Sequence, residues 1–198
     1  MPTNREHLAR LAELADANAD EIARVAADLD ATRLLWRPSP ERWGVADCME
    51  HLVSTGAAYY PKLRAAIETT ARDPARDDAR WAPSWLGRFL LGAVGPNGRA
   101  VRAPAALIPP PARPDAPARL LAQQDELRTL IAEAHGADLR ALRIPSPISR
   151  LLSLRLGEAL EMLLLHQRRH LHQAWRVRRA SSFPVVRART GTTAEIPI

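Results

Sequence analysis

Only one cysteine, Cys48, occurs in the 198 residues, so no disulfide can form within the chain, which fits a reducing compartment. Long apolar runs are missing as well. The longest, FLLGAV and MLLL, fall far short of the roughly 20 residues that cross a bilayer. The N-terminal MPTNREHLARLAEL mixes acids and bases where a secretory signal would carry an apolar core. These absences predict a soluble cytoplasmic protein that spans no membrane. Lysine is nearly absent too: Lys62 is the sole one, and 27 of the 28 basic residues are arginine. Arginine of this kind, beside abundant alanine, points to coding bias more than to a dedicated nucleic-acid surface. The net charge of +6 comes from the C-terminal part, where eleven arginines face two acids between Arg140 and Arg189. A solvated basic face is the preferred reading over attraction of an anionic partner. A nucleic-acid-binding module is set aside on the same ground.

Helical periodicity is what the chain does have, in four segments, and no segment carries a strand pattern. In the first, Leu8, Leu11, Ala15, Ile22, Val25 and Leu29 recur at three- and four-residue steps, predicting a helix from about Asn4 to Arg33. The second opens near Gly44 or Asp47 and carries Val45, Met49, Leu52, Gly56, Tyr59, Leu63 and Ile67 on one stripe. Pro61 is expected to kink or split it. The third starts with Asp115 as N-cap and Pro117 in its first turn, and ends at Gly136. The fourth is expected from about Ser153 to Ala180, with Leu156, Ala159, Leu163, His166, His170, Ala174 and Val177 on its stripe.

Between the second and third segments lies a stretch from about Arg72 to Pro114 with eight prolines, holding one short helix in WAPSWLGRFLLGAVG. A connection that long carries the chain back across a bundle. The expected architecture is all-α, a four-helix bundle with a proline-rich crossover between its second and third helices. Residues 1–182 are expected to form one domain, and residues 183–198 a loose tail.

HQRRH, from His166 to His170, puts two imidazoles one helical turn apart on one face, within the apolar stripe. A buried ring needs a partner, which is either a metal or a hydrogen bond. The spacing is not that of a zinc protease helix, because Gln167 stands where HExxH places its general base. His51 lies near the start of the second helix. If that helix runs antiparallel to the fourth, His51 stands level with the pair, and three histidines leave a coordination position open. The alternative for each is a hydrogen-bonded core histidine.

WRPSPERWGVADCMEHL resembles the opening of the second helix in DinB-like proteins, and HQRRHLHQAWRV resembles their last helix. The resemblance extends from about Leu34 to Val177. It implies an up-down-down-up four-helix bundle, often dimeric, with nickel or zinc held by His51, His166 and His170. Characterised relatives include transferases and isomerases that use a low-molecular-weight thiol. The function this implies is a metal-dependent enzyme, in particular a thiol-dependent S-transferase acting on small molecules. Alternatives are a metal-dependent hydrolase and a non-catalytic metal- or ligand-binding stress protein of the same fold. Members often carry an acid directly after the first histidine of the last helix, where this chain has Gln167.

No general base stands out. Asp47, Glu50 and Glu158 read as solvated surface acids. Gln173, one turn after His170, is either a support for a ligand or an ordinary polar residue. Gln167 and Arg169 are further candidates near the site, and Arg169 with Arg176 would suit an anionic cosubstrate. Cys48 reads as an apolar filler before a nucleophile. His7, His135 and His172 read as surface residues. Trp36 and Trp43 read as plugs at the end of the bundle. Trp81, Trp85 and Phe89 read as packing, or as a roof over the pocket.

Overall fold

Thr3 starts the first long helix, α1 (Asn4–Ala26). Its hydroxyl accepts from the Glu6 N–H, and its own N–H donates to the Glu6 carboxylate at 2.7 Å, a reciprocal cap. The structure, a computed structural model, describes residues 1–96, 98, 110–147 and 152–184. Helix α1 stops earlier than the spacing of Val25 and Leu29 predicts. Asp28 takes a left-handed conformation (φ 60°), and Asp30 then caps a separate short helix, α2 (Ala31–Leu34).

Helix α3 (Val45–Glu68) begins at Gly44. The Asp47 carboxylate accepts from the Gly44 N–H at 2.8 Å. A Cβ at Gly44 would lie on the Trp36 carbonyl oxygen, so only glycine allows the connection to pass this close. The helix is not split at Pro61. Pro61 and Ala57, whose carbonyl loses its helical donor there, are both exposed, so water can satisfy the freed oxygen.

A 3₁₀ turn (Pro74–Asp78) and helix α4 (Trp85–Val94, capped by Ser84) lie in the crossover. Part of that crossover, residues 97 and 99–109, lies outside the described residues. Helix α5 (Ala116–Glu133) has Pro117 in its first turn, as expected. Asp115 occupies the cap position, but its side chain pairs with Arg113 instead of capping the helix. Gly136 follows with φ 73°, the left-handed turn that ends the segment.

Two short strands, β1 (Arg143–Pro145) and β2 (Ser153–Arg155), then pair antiparallel, with Ile144 opposite Leu154. This corrects the expectation of no strand. Three residues each are too few to display a period of two, yet Ile144 and Leu154 both point into the core. The last helix, α6 (Leu156–Arg178), starts three residues later than expected because β2 takes Ser153 to Arg155. Of the tail expected at 183–198, residues from 185 on lie outside the described residues. Phe183 packs edge-on against Trp36.

The chain is mostly helical. Helices α1 and α3 each pack against both α5 and α6, and α4 packs on α6. Contacts rise in the same order along α1 and α6: Arg10 with Glu161, Asn18 with Gln167, and the Val25 carbonyl with Arg178. They rise together along α3 and α5 as well: Glu50 with Arg119, Arg64 with Glu126. Two apolar clusters fill the interior. One gathers Leu8, Leu63, Leu127 and Leu160, and the other gathers Ile22, Met49, Leu120 and Leu171. Between them lies a layer of buried polar side chains that includes Asn18, Gln124, Gln167, His51 and His170. No helix among the described residues is long and apolar enough to cross a membrane.

Candidate metal centre

The stripe of α6 turns His166 and His170 inward, and the first turns of α3 bring His51 to the same height. The Nε2 of His166 lies 3.3 Å from the Nε2 of His51 and 3.1 Å from that of His170. The potential ligand atoms of the three rings all lie within 4.8 Å of one another. His51 and His170 are buried, and His166 is half-buried. The three sequence candidates thus come together. Two zinc–nitrogen bonds of about 2.05 Å at a tetrahedral angle would set their nitrogens roughly 3.3 Å apart, close to the spacings found.

Electrostatics favour neutral rings. Burial pushes the His166 pKa down to about 3, and positive charge on His51 or Arg169 would push the same way. Burial also pushes His170 far below the ordinary imidazole range, with charge on His166 and His51 as further causes. Both rings therefore keep a free lone pair at neutral pH, as metal ligation requires. At His170, Nδ1 lies 3.1 Å from the Gln173 Oε1, an oxygen that can only accept. The Nδ1 therefore carries the ring proton, and the Nε2 lone pair faces the other histidines. The buried Nδ1 of His166 has no hydrogen-bond partner among the described residues.

Gln167 faces away from the cluster. It accepts from Asn18 at 3.0 Å and donates to Gln124 at 2.8 Å, and Gln124 donates on to the Ala15 carbonyl. Sequence reasoning missed Asn18 and Gln124. Their signal was a polar residue on an apolar stripe, between Ala15 and Ile22 and between Leu120 and Leu127. The Arg169 Nη1 reaches the carbonyls of Ala93, Gly95 and Gly98 at 3.3, 3.2 and 3.0 Å, tying α6 to the end of α4. Arg176 and His172 are exposed.

The chain matches the family model described as the DinB superfamily over residues 5–174. It belongs to the DinB superfamily. No curated protein and no solved structure matches it.

Several residues around this DinB site sit differently from the sequence reading. Asp47, Glu50 and Glu158 are buried, not solvated, because each has a built-in partner. Arg37 Nε donates to Asp47 at 2.7 Å, and Arg119 Nη1 lies 2.9 Å from both oxygens of Glu50. Glu158 accepts the N–H groups of Ser84 and Arg155 at 2.6 and 2.9 Å. His7 is buried as well, stacked on Trp81 with centroids 4.5 Å apart. His135 is exposed, as expected, and bonds Asp77 at 2.9 Å. Cys48 is fully packed, and burial beside Asp47 pushes its thiol far above the ordinary range. Trp81 is core, while Trp85 and Phe89 are exposed. Trp43 is more than an end plug. Its ring lies 4.9 Å from that of His51 and 5.6 Å from that of His170. Its position directly before the Gly44 cap, about two helical turns ahead of His51, was the only sequence sign of this.

Proposed function

We propose that this DinB-superfamily protein is a metal-dependent enzyme. Its metal is zinc or nickel, held by His51, His166 and His170, and its reaction is transfer from or to the sulfur of a low-molecular-weight thiol. The observation that carries the reading is the approach of the His166 Nε2 to those of His51 and His170 at zinc-like spacings, in a largely buried cluster where burial keeps the His166 and His170 rings neutral. A divalent cation on three neutral imidazoles supplies a Lewis acid that favours the deprotonated form of a thiol or water at its remaining position.

The chain's own residues set up that chemistry. Gln173 holds the His170 tautomer. Trp43 covers the His51 and His170 rings and keeps water from that side. The Asn18–Gln167–Gln124 chain fixes the inner side of α6, so the two histidines keep their rotation. Gln167, committed to these amides, does not act as a base. The order of contacts along α1, α3, α5 and α6 supports an up-down-down-up four-helix bundle for this function.

The test is metal content, by mass spectrometry on protein purified without a histidine tag, beside a His166→Ala, His170→Ala double variant. About one zinc or nickel per chain, lost in the variant, supports the site. A wild type that takes up no metal even after reconstitution removes it. Assays with small thiols and electrophiles then separate the transferase from a hydrolase or a binding protein.

A further inference from the structure

Helix α4 is tied to α6 at both ends. At its start the Ser84 N–H donates to the Glu158 carboxylate at 2.6 Å, and a Cβ on Gly87 would fall on that carboxylate. At its end the carbonyls of Ala93, Gly95 and Gly98 accept from Arg169. An acid at the N-terminus and a cation at the C-terminus both suit the helix dipole. Leu90, Leu91 and Val94 pack against the core. Rolling the helix to bury its other side would break these ties.

That other side is open and largely apolar. Trp85 and Phe89, one turn apart, are 76% and 68% exposed. Gly92 continues the row, and a Cβ there would meet nothing within 4 Å. Arg88 is exposed on the same face. The charge of this region has one sign. From Ala79 to Pro114 the sequence carries five arginines and no acid. Acids of the adjoining segments are already committed. Glu158 is buried beneath α4, Asp78 pairs with Arg5 at 3.3 Å, and Glu161 pairs with Arg10 at 2.7 Å.

We propose that the outer face of α4 docks on an anionic membrane surface. Ten residues make a helix about 15 Å long, half the hydrocarbon thickness of a bilayer, so α4 lies on the membrane and does not span it. Trp85 and Phe89 enter the boundary between head groups and acyl chains, where aromatic rings are favoured. Arg88 meets the lipid phosphates, and the acid-free surroundings are drawn to the same negative surface. The two aromatic side chains expose roughly 300 Å², well below the about 800 Å² that each partner buries in a standard protein interface. Two-fold pairing of the face with a second copy would also set Arg88 against the arginines of an equally basic region. Insertion of an aromatic pair into lipid needs neither a matching shape nor an opposing acid. The inference does not depend on the metal reading.

The experiment is cosedimentation of the full chain with vesicles of phosphatidylcholine alone, and of phosphatidylcholine with about 30% phosphatidylglycerol. The expected result is binding to the mixed vesicles at least about tenfold tighter than to phosphatidylcholine, falling as salt rises. A Trp85→Ser, Phe89→Ser double variant is expected to bind about tenfold or more weakly, and Arg88→Glu about fivefold or more weakly. All three residues are exposed, so the variants are expected to fold, and their melting curves are recorded alongside. The His166→Ala, His170→Ala variant is expected to bind vesicles as wild type does, so this inference and the metal reading fail separately. No binding to the mixed vesicles, equal binding to both kinds, or wild-type binding by the double aromatic variant would each overturn the proposal. A dimer in sedimentation velocity that the aromatic variant abolishes, without vesicle binding, would assign the face to a second copy instead.

Discussion

The Nδ1 of His170 stands 3.1 Å from the Oε1 of Gln173, one turn further along the same helix. The bond selects which nitrogen of His170 carries the proton. It therefore links a residue outside the three-histidine cluster to the ligand quality of one within it. Replacing Gln173 with leucine is expected to weaken zinc affinity roughly 10–100-fold, as loss of such supports commonly does. Competition with a chromophoric chelator measures this. An affinity equal to wild type would mean that packing alone orients the ring.

Metal binding should also appear as stability. Zinc at about a hundredfold its dissociation constant adds about 2.7 kcal/mol, roughly 5–11 °C in melting temperature for a chain of this size. Differential scanning fluorimetry should show this rise in wild type. The His166→Ala, His170→Ala variant should show none. A rise in both would place the ion elsewhere.

Acid should destabilise the metal-free protein in a defined window. The His7 pKa falls to about 4, chiefly through burial, with the charge of Arg10 adding to the effect. In the unfolded chain the same ring titrates near 6.5. Below about 6.5 the unfolded state binds a proton that the folded state refuses until about 4, so stability is fully present above 6.5 and declines as pH falls toward 4. His166 and His170 act in the same sense. A His7→Gln variant should show a shallower decline between pH 6.5 and 4 in thermal melts of metal-free protein. An unchanged slope would assign the loss to other groups.

Cys48 should be inert. Its thiol is buried and its ionisation is suppressed, so disulfide reagents such as dithionitrobenzoate should label it only after denaturation. Rapid labelling of the native protein at neutral pH would contradict the packing around it.

Gly157 lies under the Trp81 ring, and a Cβ there would fall 2.5 Å from a ring carbon. Gly157→Ala is expected to cost about 1–3 kcal/mol through overpacking, while leaving metal stoichiometry intact. Chemical denaturation and metal analysis on the same preparation test both halves.

The sequence made the long helices legible because each buries a wide apolar stripe that repeats over many turns. It made the three histidines legible because two lie on such a stripe and the third is near the start of a helix whose direction follows from connection lengths. Where it misled about side chains, the cause was a partner that the fold brings in from another segment. Asp47, Glu50 and Glu158 look like surface acids until Arg37, Arg119 and Ser84 are brought to them. His7 looks exposed until Trp81 arrives from the crossover. The β1–β2 pair and the end of α1 at Asp28 rest on local conformations too short to leave a periodic trace.

The amides of Asn18, Gln124 and Gln167 act as an index pin for the whole interior. Sliding α6 by one turn against α1 would shift Gln167 by about 5.4 Å and strand all three side chains among leucines, at roughly 1–3 kcal/mol for each unsatisfied group. Apolar stripes alone would tolerate such a slip, since one leucine can replace another. The amides do not, and His166 lies directly before Gln167 in the chain. The height at which the histidines meet His51 is thus fixed from behind, by residues outside the cluster.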